Sequence, residues 1–257
     1  LHNPFIWDDE ALIIKNPLIK DLRLIGKVFT SDLFFGTHSG SNFYRPIQTL
    51  SYVWDYYFWQ INPFGYHLTN IILQILVSCL LLIFTYSISK ETVIAFATAL
   101  LFAVNPLATE AVTYISGRAE LLLGLFLLSS LLAFKKSESG KFRIIYLSLS
   151  LFLFVLGLLS KELALVFPLV ILAFIFYFER DNLKKKGFFV KRILPFFIIA
   201  GVYLVLRLSI FKFATIRPPS LTKYPLLLRI TVLPKVIITY LKLLILPVNL
   251  HMCRTLI

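Results

Sequence analysis

Residues 70–88, NIILQILVSCLLLIFTYSI, decide the fold, because they contain no charged side chain and are almost long enough to cross a bilayer. About 20 apolar residues span the hydrocarbon core of a membrane as an α-helix. Similar apolar runs recur along the chain, which is 58% hydrophobic and only 15% charged. Soluble domains are roughly 45–50% apolar and about 25% charged. The sequence therefore predicts an all-α, polytopic transmembrane helical bundle.

About seven spans are predicted within residues 69–257, at approximately 70–88, 92–104, 121–134, 144–159, 163–178, 193–211 and 230–246. The shorter runs are expected to extend into flanking polar residues. Residues 1–68 are too polar to span and are predicted to form a long first loop. The aromatic stretch from Leu50 to Trp59 in this loop is typical of the membrane–water interface. We therefore expect short helices in this region, lying along the membrane surface.

Two loops between predicted spans are strongly basic, at residues 135–143 and 180–192. Two spans separate them, so both lie on one side, which the positive-inside rule makes cytoplasmic. Residues 1–68 and the loops at 105–120, 160–162 and 212–229 then face outward, from a bacterial inner membrane or into the lumen of the endoplasmic reticulum. The 212–229 loop is also basic, so either one span is miscounted or its cations bind an anionic group.

Composition also limits the partners and cofactors that we expect. Cytoplasmic loops of a membrane protein explain the net charge of +13, so no nucleic acid is predicted as a partner. The two cysteines and four histidines do not have the spacing of metal ligands, so we predict neither a metal nor another cofactor. The chain begins at Leu1 and ends at Ile257 without start or stop features, which indicates a fragment that lacks material at both ends.

The acidic stretch Trp7-Asp8-Asp9-Glu10 is the first candidate for chemistry. Grouped carboxylates act as general bases or bind a cation, although a run of charges is more often a hydrated turn. Polar loops on the same predicted side add further carboxylates and cations, namely Glu110, Arg118, Glu120, Lys161 and Glu162. Arginine and lysine bind phosphate groups, while the alternative is that these charges only neutralise each other. An enclosed polar site on the outer face is therefore one of two open interpretations.

Four blocks of sequence occur in an order that resembles a known family. They are WDD at 7–9 with NP at 16–17, YRP at 44–46 through NPFGYHLTN at 62–70, NP at 105–106 through SGRAE at 116–120, and SKE at 160–162. Together they resemble the membrane half of the transmembrane and tetratricopeptide-repeat O-mannosyltransferases and their prokaryotic relatives. That family belongs to the C-type membrane glycosyltransferases. The closing stretch at residues 240–247 is similar as well, so the resemblance covers nearly the whole chain.

The resemblance implies a reaction that composition alone does not show. Such enzymes transfer mannose or a similar hexose, with inversion, from a polyprenyl-phosphate donor in the membrane lipid to a protein Ser or Thr hydroxyl. A glycan acceptor is the other possibility, and the family is regarded as metal-independent. The family's acidic motif maps onto Asp8 and Asp9 as the catalytic carboxylates. For this reaction we predict that Arg118, Lys161 and Arg217 bind the phosphate, that Glu110, Glu120 and Glu162 orient those cations or the sugar hydroxyls, and that Arg45 also binds the substrate.

The sequence departs from the family pattern in ways that leave the acceptor open. Asn105-Pro106 stands where relatives often have His-Pro, and the family's first span and repeat region are expected to be missing here. Two other functions stay open. A transporter or lipid flippase would carry inverted repeats and broken spans, but no such symmetry is evident. A non-catalytic membrane anchor of a repeat protein would not depend on any single external polar residue.

Overall fold

A computed structural model describes residues 3–37, 41–138, 141–180, 187–211 and 226–245. Every regular element in these ranges is helical and none is a strand, which confirms the predicted all-α bundle. The α-helices are α1 (Ile25–Val28), α2 (Pro46–Trp59), α3 (Pro63–Ser89), α4 (Thr92–Val104), α5 (Pro106–Thr113), α6 (Arg118–Lys136), α7 (Arg143–Ser160), α8 (Phe167–Phe178), α9 (Leu194–Ser209) and α10 (Leu226–Ile245).

Within the described ranges, four helical segments are long and apolar enough to cross a membrane, at 63–89, 115–136, 143–160 and 189–209. Helices α4 and α5 form a bent pair with an angle of 58°, which is either a broken span or a re-entrant loop. The segment Glu162–Phe178 is a shorter apolar helix. The chain is therefore an integral membrane protein, while the count of seven spans stays a prediction.

Helix α3 begins at Pro63, seven residues before the predicted start of the first span. The Asn62 side chain caps this end by accepting a hydrogen bond from the Phe64 backbone N–H (3.1 Å). Proline at the first helical position is favoured because its φ angle already suits a helix and its missing N–H is not needed there. Residues 63–68, which were predicted to belong to the first loop, thus form the first turns of this helix.

The centre of the bundle is a cluster of phenylalanine side chains around α6, α7, α8 and α9, formed by Phe134, Phe154, Phe167, Phe174 and Phe196. Helices α6 and α7 are also joined by reciprocal hydrogen bonds. Ser130 Oγ donates to the Ser150 carbonyl and Ser150 Oγ donates to the Ser130 carbonyl, both at 2.8 Å. Small polar residues let membrane helices approach closely and bond across their interface.

The first loop folds over one end of this bundle. Its short helical turns bury Leu12, Ile13 and Ile19 against Tyr52 of α2 and Ile115 in the turn before α6. Helix α2 exposes aromatic side chains on its outer face, including Trp54, Tyr57 and Phe58. Such a face fits a helix that lies at the membrane–water interface, as predicted. The acidic stretch is consequently held close to the starts of α3 and α6.

Among the described residues, the predicted site residues and the basic residues of the two loops lie at opposite ends of the bundle. Helix α3 runs for 27 residues, or about 40 Å. Near its start, Asn70 accepts a hydrogen bond from Arg118; near its end, the Ser87 carbonyl accepts one from Lys135. Arg192, the last residue of the second basic loop, is buried at the same end as Lys135, where it donates a hydrogen bond to the Phe134 carbonyl (2.9 Å). The two groups are thus about one membrane thickness apart.

Candidate active site

Asp9, in the first loop, is buried, with 1% of its surface exposed. Its carboxylate accepts hydrogen bonds from the backbone N–H groups of Ile6 (3.3 Å) and Ser116 (3.0 Å). Burial raises the pKa of Asp9 to about 6, an increase that the two hydrogen bonds and the charge of Arg118 partly oppose. A carboxyl group with such a pKa exchanges protons near neutral pH, as a general acid or base must.

Asp8 has the opposite environment, because it is exposed and lines a cavity of about 760 Å³. Aromatic and polar side chains form the walls of this cavity, among them Trp7, Glu10, Lys15, Phe34, Thr37, Ser41 and Phe43. Ligand sites typically enclose about 300–1,000 Å³. The structure thus separates the two predicted catalytic residues: only Asp8 is open to a ligand.

The backbone next to Asp8 has a conformation that residues other than glycine rarely adopt. Trp7 has φ = +50°, in the left-handed region, where strained residues often mark functional sites. The Trp7 ring packs edge-on against Tyr114, with centroids 6.2 Å apart. The Asp8 backbone N–H donates to Tyr114 Oη (3.2 Å). Tyr114 therefore fixes this turn, although it was not among the predicted site residues.

Arg118 is fully buried, with 0% of its surface exposed. Its guanidinium forms an ion pair with Asp55 (2.5 Å between Nη2 and Oδ2) and lies over the Tyr52 ring, 4.6 Å from the centroid. Its nitrogens also donate to Asn70 Oδ1 (2.8 Å), Ser51 Oγ (3.2 Å) and the Tyr66 carbonyl (2.9 Å). Protein groups from α2 and α3 therefore surround this predicted phosphate ligand.

Asp55 is the partner that sequence reasoning missed. It is the only charged residue of α2, and it is 6% exposed. Burial raises the pKa of its carboxyl group, while Arg118 and the Thr69 hydroxyl, which donates to Asp55 Oδ1 (2.7 Å), lower it. A lone carboxylate within an aromatic helix is a signal for a buried ion pair, since buried charges are normally paired. The partner itself cannot be identified from such a local pattern.

Four of the other predicted substrate-binding residues form two ion pairs. Arg45 Nε lies 3.2 Å from Glu162 Oε2, and the Tyr44 backbone N–H donates to Glu162 Oε1 (3.2 Å). Lys161 pairs with Glu120. These pairs connect the start of α2 and the start of α6 to the turn after α7. They bring four of the predicted residues to the same end of the bundle as Asp8 and Asp9.

Glu110 lies apart from these pairs, exposed on α5. It lines a second cavity of about 610 Å³, to which Glu120 and the buried Gln74 also contribute. Arg217 lies outside the described residues. In the described part of the chain, no three His, Cys, Asp or Glu side chains are grouped as metal ligands would be. The roles of all nine predicted residues in binding or catalysis stay predictions.

Comparisons with known proteins match part of this chain to protein O-mannosyl-transferases. A protein O-mannosyl-transferase of Caenorhabditis elegans is 32% identical over 176 residues, which are 65% of this chain and 24% of that protein. Protein O-mannosyl-transferase TMTC1 of Homo sapiens is 37% identical over 63% of this chain and 20% of its own length. Protein O-mannosyl-transferase TMTC3 of Homo sapiens is 34% identical over 62% of this chain and 18% of its own length.

The chain thus spans about a quarter or less of the length of these relatives. No family model and no solved structure matches it. The relatives carry in their names the family that the four sequence blocks indicate. The predicted resemblance is therefore confirmed: over the matched part this chain is similar to protein O-mannosyl-transferases, among them TMTC1 and TMTC3.

Proposed function

We propose that this chain forms the membrane-embedded active site of a glycosyltransferase. The enzyme would transfer a hexose from a polyprenyl-phosphate donor to a protein Ser or Thr hydroxyl. The names of its relatives indicate that this hexose is mannose. The observation that carries the proposal is the exposed Asp8 carboxylate in an aromatic-walled cavity, next to the buried Asp9. Aromatic faces and carboxylates are suited to a sugar, whose ring has an apolar face and a rim of hydroxyl groups.

The proposed reaction is a single displacement with inversion. Asp8 accepts the proton of the acceptor hydroxyl while the acceptor oxygen forms a bond to the anomeric carbon. The bond between that carbon and the phosphate oxygen breaks, and polyprenyl phosphate leaves with the bonding electrons. Lys15, which lines the same cavity and pairs with Glu10 (2.9 Å), supplies positive charge where the phosphate becomes more negative. Membrane lipid is the medium that delivers the donor.

We also propose that this reaction takes place on the extracytoplasmic face. The Asp8 cavity lies at one end of the bundle. Lys135 and Arg192, which belong to the two basic loops, lie at the opposite end. Basic loops are retained in the cytoplasm. The cavity would therefore open to the periplasm or to the lumen of the endoplasmic reticulum.

Asp8→Asn tests this function most directly. In proteoliposomes that contain polyprenyl-phosphate mannose and a Ser/Thr-rich peptide, it should lower the rate of sugar transfer by about 10²–10⁴-fold, because the amide cannot accept the proton. The matched control is Asp21→Asn, which removes a half-exposed carboxylate that pairs with Arg23 in the same loop. Normal transfer by Asp8→Asn, or no transfer by the unaltered protein, would contradict the proposal.

A transporter is the second candidate, and the bent α4–α5 pair is the observation in its favour. Discontinuous membrane helices often form transporter binding sites. Flux of a labelled polyprenyl-phosphate sugar across sealed vesicles, without transfer to any acceptor, would support this function instead.

A further inference from the structure

We propose that the buried Arg118–Asp55 ion pair positions the Asp8–Asp9 turn, acting through residues 114–117, and that Arg118 is a positioning residue and not a ligand of the substrate phosphate. This inference rests on the proposed function, because the position of the turn matters for catalysis only if Asp8 touches the acceptor. It is carried by three connected sets of contacts.

The first set joins the acidic turn to the segment before α6. Tyr114 Oη accepts a hydrogen bond from the Asp8 backbone N–H (3.2 Å), and the Ser116 backbone N–H donates to Asp9 Oδ1 (3.0 Å). The Trp7 ring packs on Tyr114 as well. These contacts attach the turn that carries the two carboxylates to residues more than 100 positions later in the chain.

The second set fixes the segment itself. Gln48 Nε2 donates to the Ser116 carbonyl (2.9 Å), and Tyr52 Oη donates to the Ile115 carbonyl (3.0 Å). A Cβ atom on Gly117 would lie 2.8 Å from Ala111 Cα, closer than side chains normally approach a backbone. Glycine at this position lets the segment pack directly on α5. Residues 115–117 therefore have little room to move while α2 and α5 stay in place.

The third set is the ion pair, which attaches the segment to the bundle at Arg118. Its guanidinium donates to Ser51 of α2 and to Asn70 and the Tyr66 carbonyl of α3, and it pairs with Asp55 of α2. The planar fork of arginine can bridge several acceptors in fixed directions, which a lysine ammonium cannot do. With none of its surface exposed, Arg118 presents no nitrogen to the cavity that Asp8 lines. Its contribution to catalysis is then the geometry of the turn.

A base displaced by about 1 Å can lose roughly 100-fold in rate, because the reacting groups no longer align. Arg118→Lys and Asp55→Asn should each lower kcat by about 10–100-fold and leave KM for the polyprenyl-phosphate mannose donor within about twofold. In the double variant the loss should be much less than the product of the two single losses, since both act through one contact. A rise in donor KM with kcat unchanged in Arg118→Lys would overturn the proposal and restore a phosphate-binding role.

A control must separate positioning from general loss of stability. Glu179→Gln weakens another buried pair, Arg192–Glu179 (3.8 Å), at the opposite end of the bundle. It should lower the thermal midpoint without changing kcat. If Arg118→Lys does not fold, Tyr52→Phe removes only the hydroxyl that bonds the Ile115 carbonyl, and kcat should fall about threefold to tenfold with donor KM unchanged. A full kcat in folded Tyr52→Phe and Asp55→Asn would contradict the inference.

Hydrogen exchange gives a readout that does not depend on activity. In Arg118→Lys, the backbone amides of Asp8 and Ser116 should exchange at least about tenfold faster, while amides of α7 keep their protection. Only the contacts between the Asp8–Asp9 turn and residues 114–117 should open in this variant. Unchanged exchange at both amides would overturn the positioning role even if the activity falls. If the unaltered protein transfers no sugar, the proposed function fails, and the exchange result still decides whether Arg118 holds the turn.

Discussion

At the scale of single residues, the structure gives two adjacent carboxylates opposite environments. Asp9 lies directly before the helical turn Glu10–Ile14 and points inward. The backbone N–H groups of Ile6 and Ser116 donate hydrogen bonds to its carboxylate there. Asp8 faces the cavity. Adjacent residues at the start of a helix point in different directions. One of two neighbouring aspartates can therefore contact a ligand while the other holds the loop.

The burial of Asp9 has a consequence for stability. Its folded-state pKa, about 6, lies above the ordinary value of 3.8, so folding favours the protonated carboxyl group. The free energy of unfolding should therefore fall as the pH rises from about 4 to about 6, by up to about 3 kcal/mol, and stay level above this range. Thermal unfolding of the detergent-solubilised protein across this range measures the slope.

Asp9→Asn should remove this contribution, because an amide does not titrate. Asp32 and Asp55 also have pKa values raised by burial, so the useful quantity is the difference in slope between the unaltered protein and Asp9→Asn. Asp21→Asn, at a half-exposed carboxylate, serves as the control and should keep the full slope. Identical slopes in all three proteins would show that Asp9 is not the titrating group.

At the scale of elements, the break between α4 and α5 is the clearest case where local sequence determines structure. Asn105 ends α4 and caps α5 by accepting a hydrogen bond from the Leu107 backbone N–H (2.9 Å), and Pro106 opens the new helix. The predicted second span ends at this same pair of residues. Beside the break lies the second cavity, where neither amide atom of the buried Gln74 has a hydrogen-bond partner among the described residues.

Gln74→Leu should stabilise the protein by about 1–3 kcal/mol, because an unpaired buried amide loses its hydration without gaining a partner. The thermal midpoint in detergent would rise accordingly. Gln48→Leu is the contrasting variant, since Gln48 Nε2 donates to Tyr52 Oη and to the Ser116 carbonyl, both at 2.9 Å, and should destabilise. A lower midpoint for Gln74→Leu would mean that a water or a lipid bonds this amide in the membrane.

At the scale of the whole molecule, charge and chemistry are divided between the two ends of the bundle. The end that contains Asp8 carries ion pairs between carboxylates and cations, whereas the other end carries the basic loops. A membrane protein inserts with its basic loops in the cytoplasm, so this division predicts the side on which the proposed reaction would occur.

Cysteine labelling tests the orientation directly. In a background with Cys79 and Cys253 changed to serine, a membrane-impermeant maleimide should label Arg23→Cys only from the extracytoplasmic side and Lys141→Cys only from the cytoplasmic side. Both native side chains are exposed, so access does not depend on unfolding. The reverse pattern would place the Asp8 cavity in the cytoplasm and exclude the proposed face, while the fold would be unaffected.

The sequence by itself determined the helical class, most span positions, the break at Asn105 and the grouping of the polar loops. These features depend on hydropathy and on capping within a few residues, so they are encoded locally. Only the tertiary structure decided that Asp8 is open and Asp9 buried, and that Asp55 pairs with Arg118 and Arg45 with Glu162. Such pairs join residues 63 and 117 positions apart, and the burial of a charge depends on every element that packs around it.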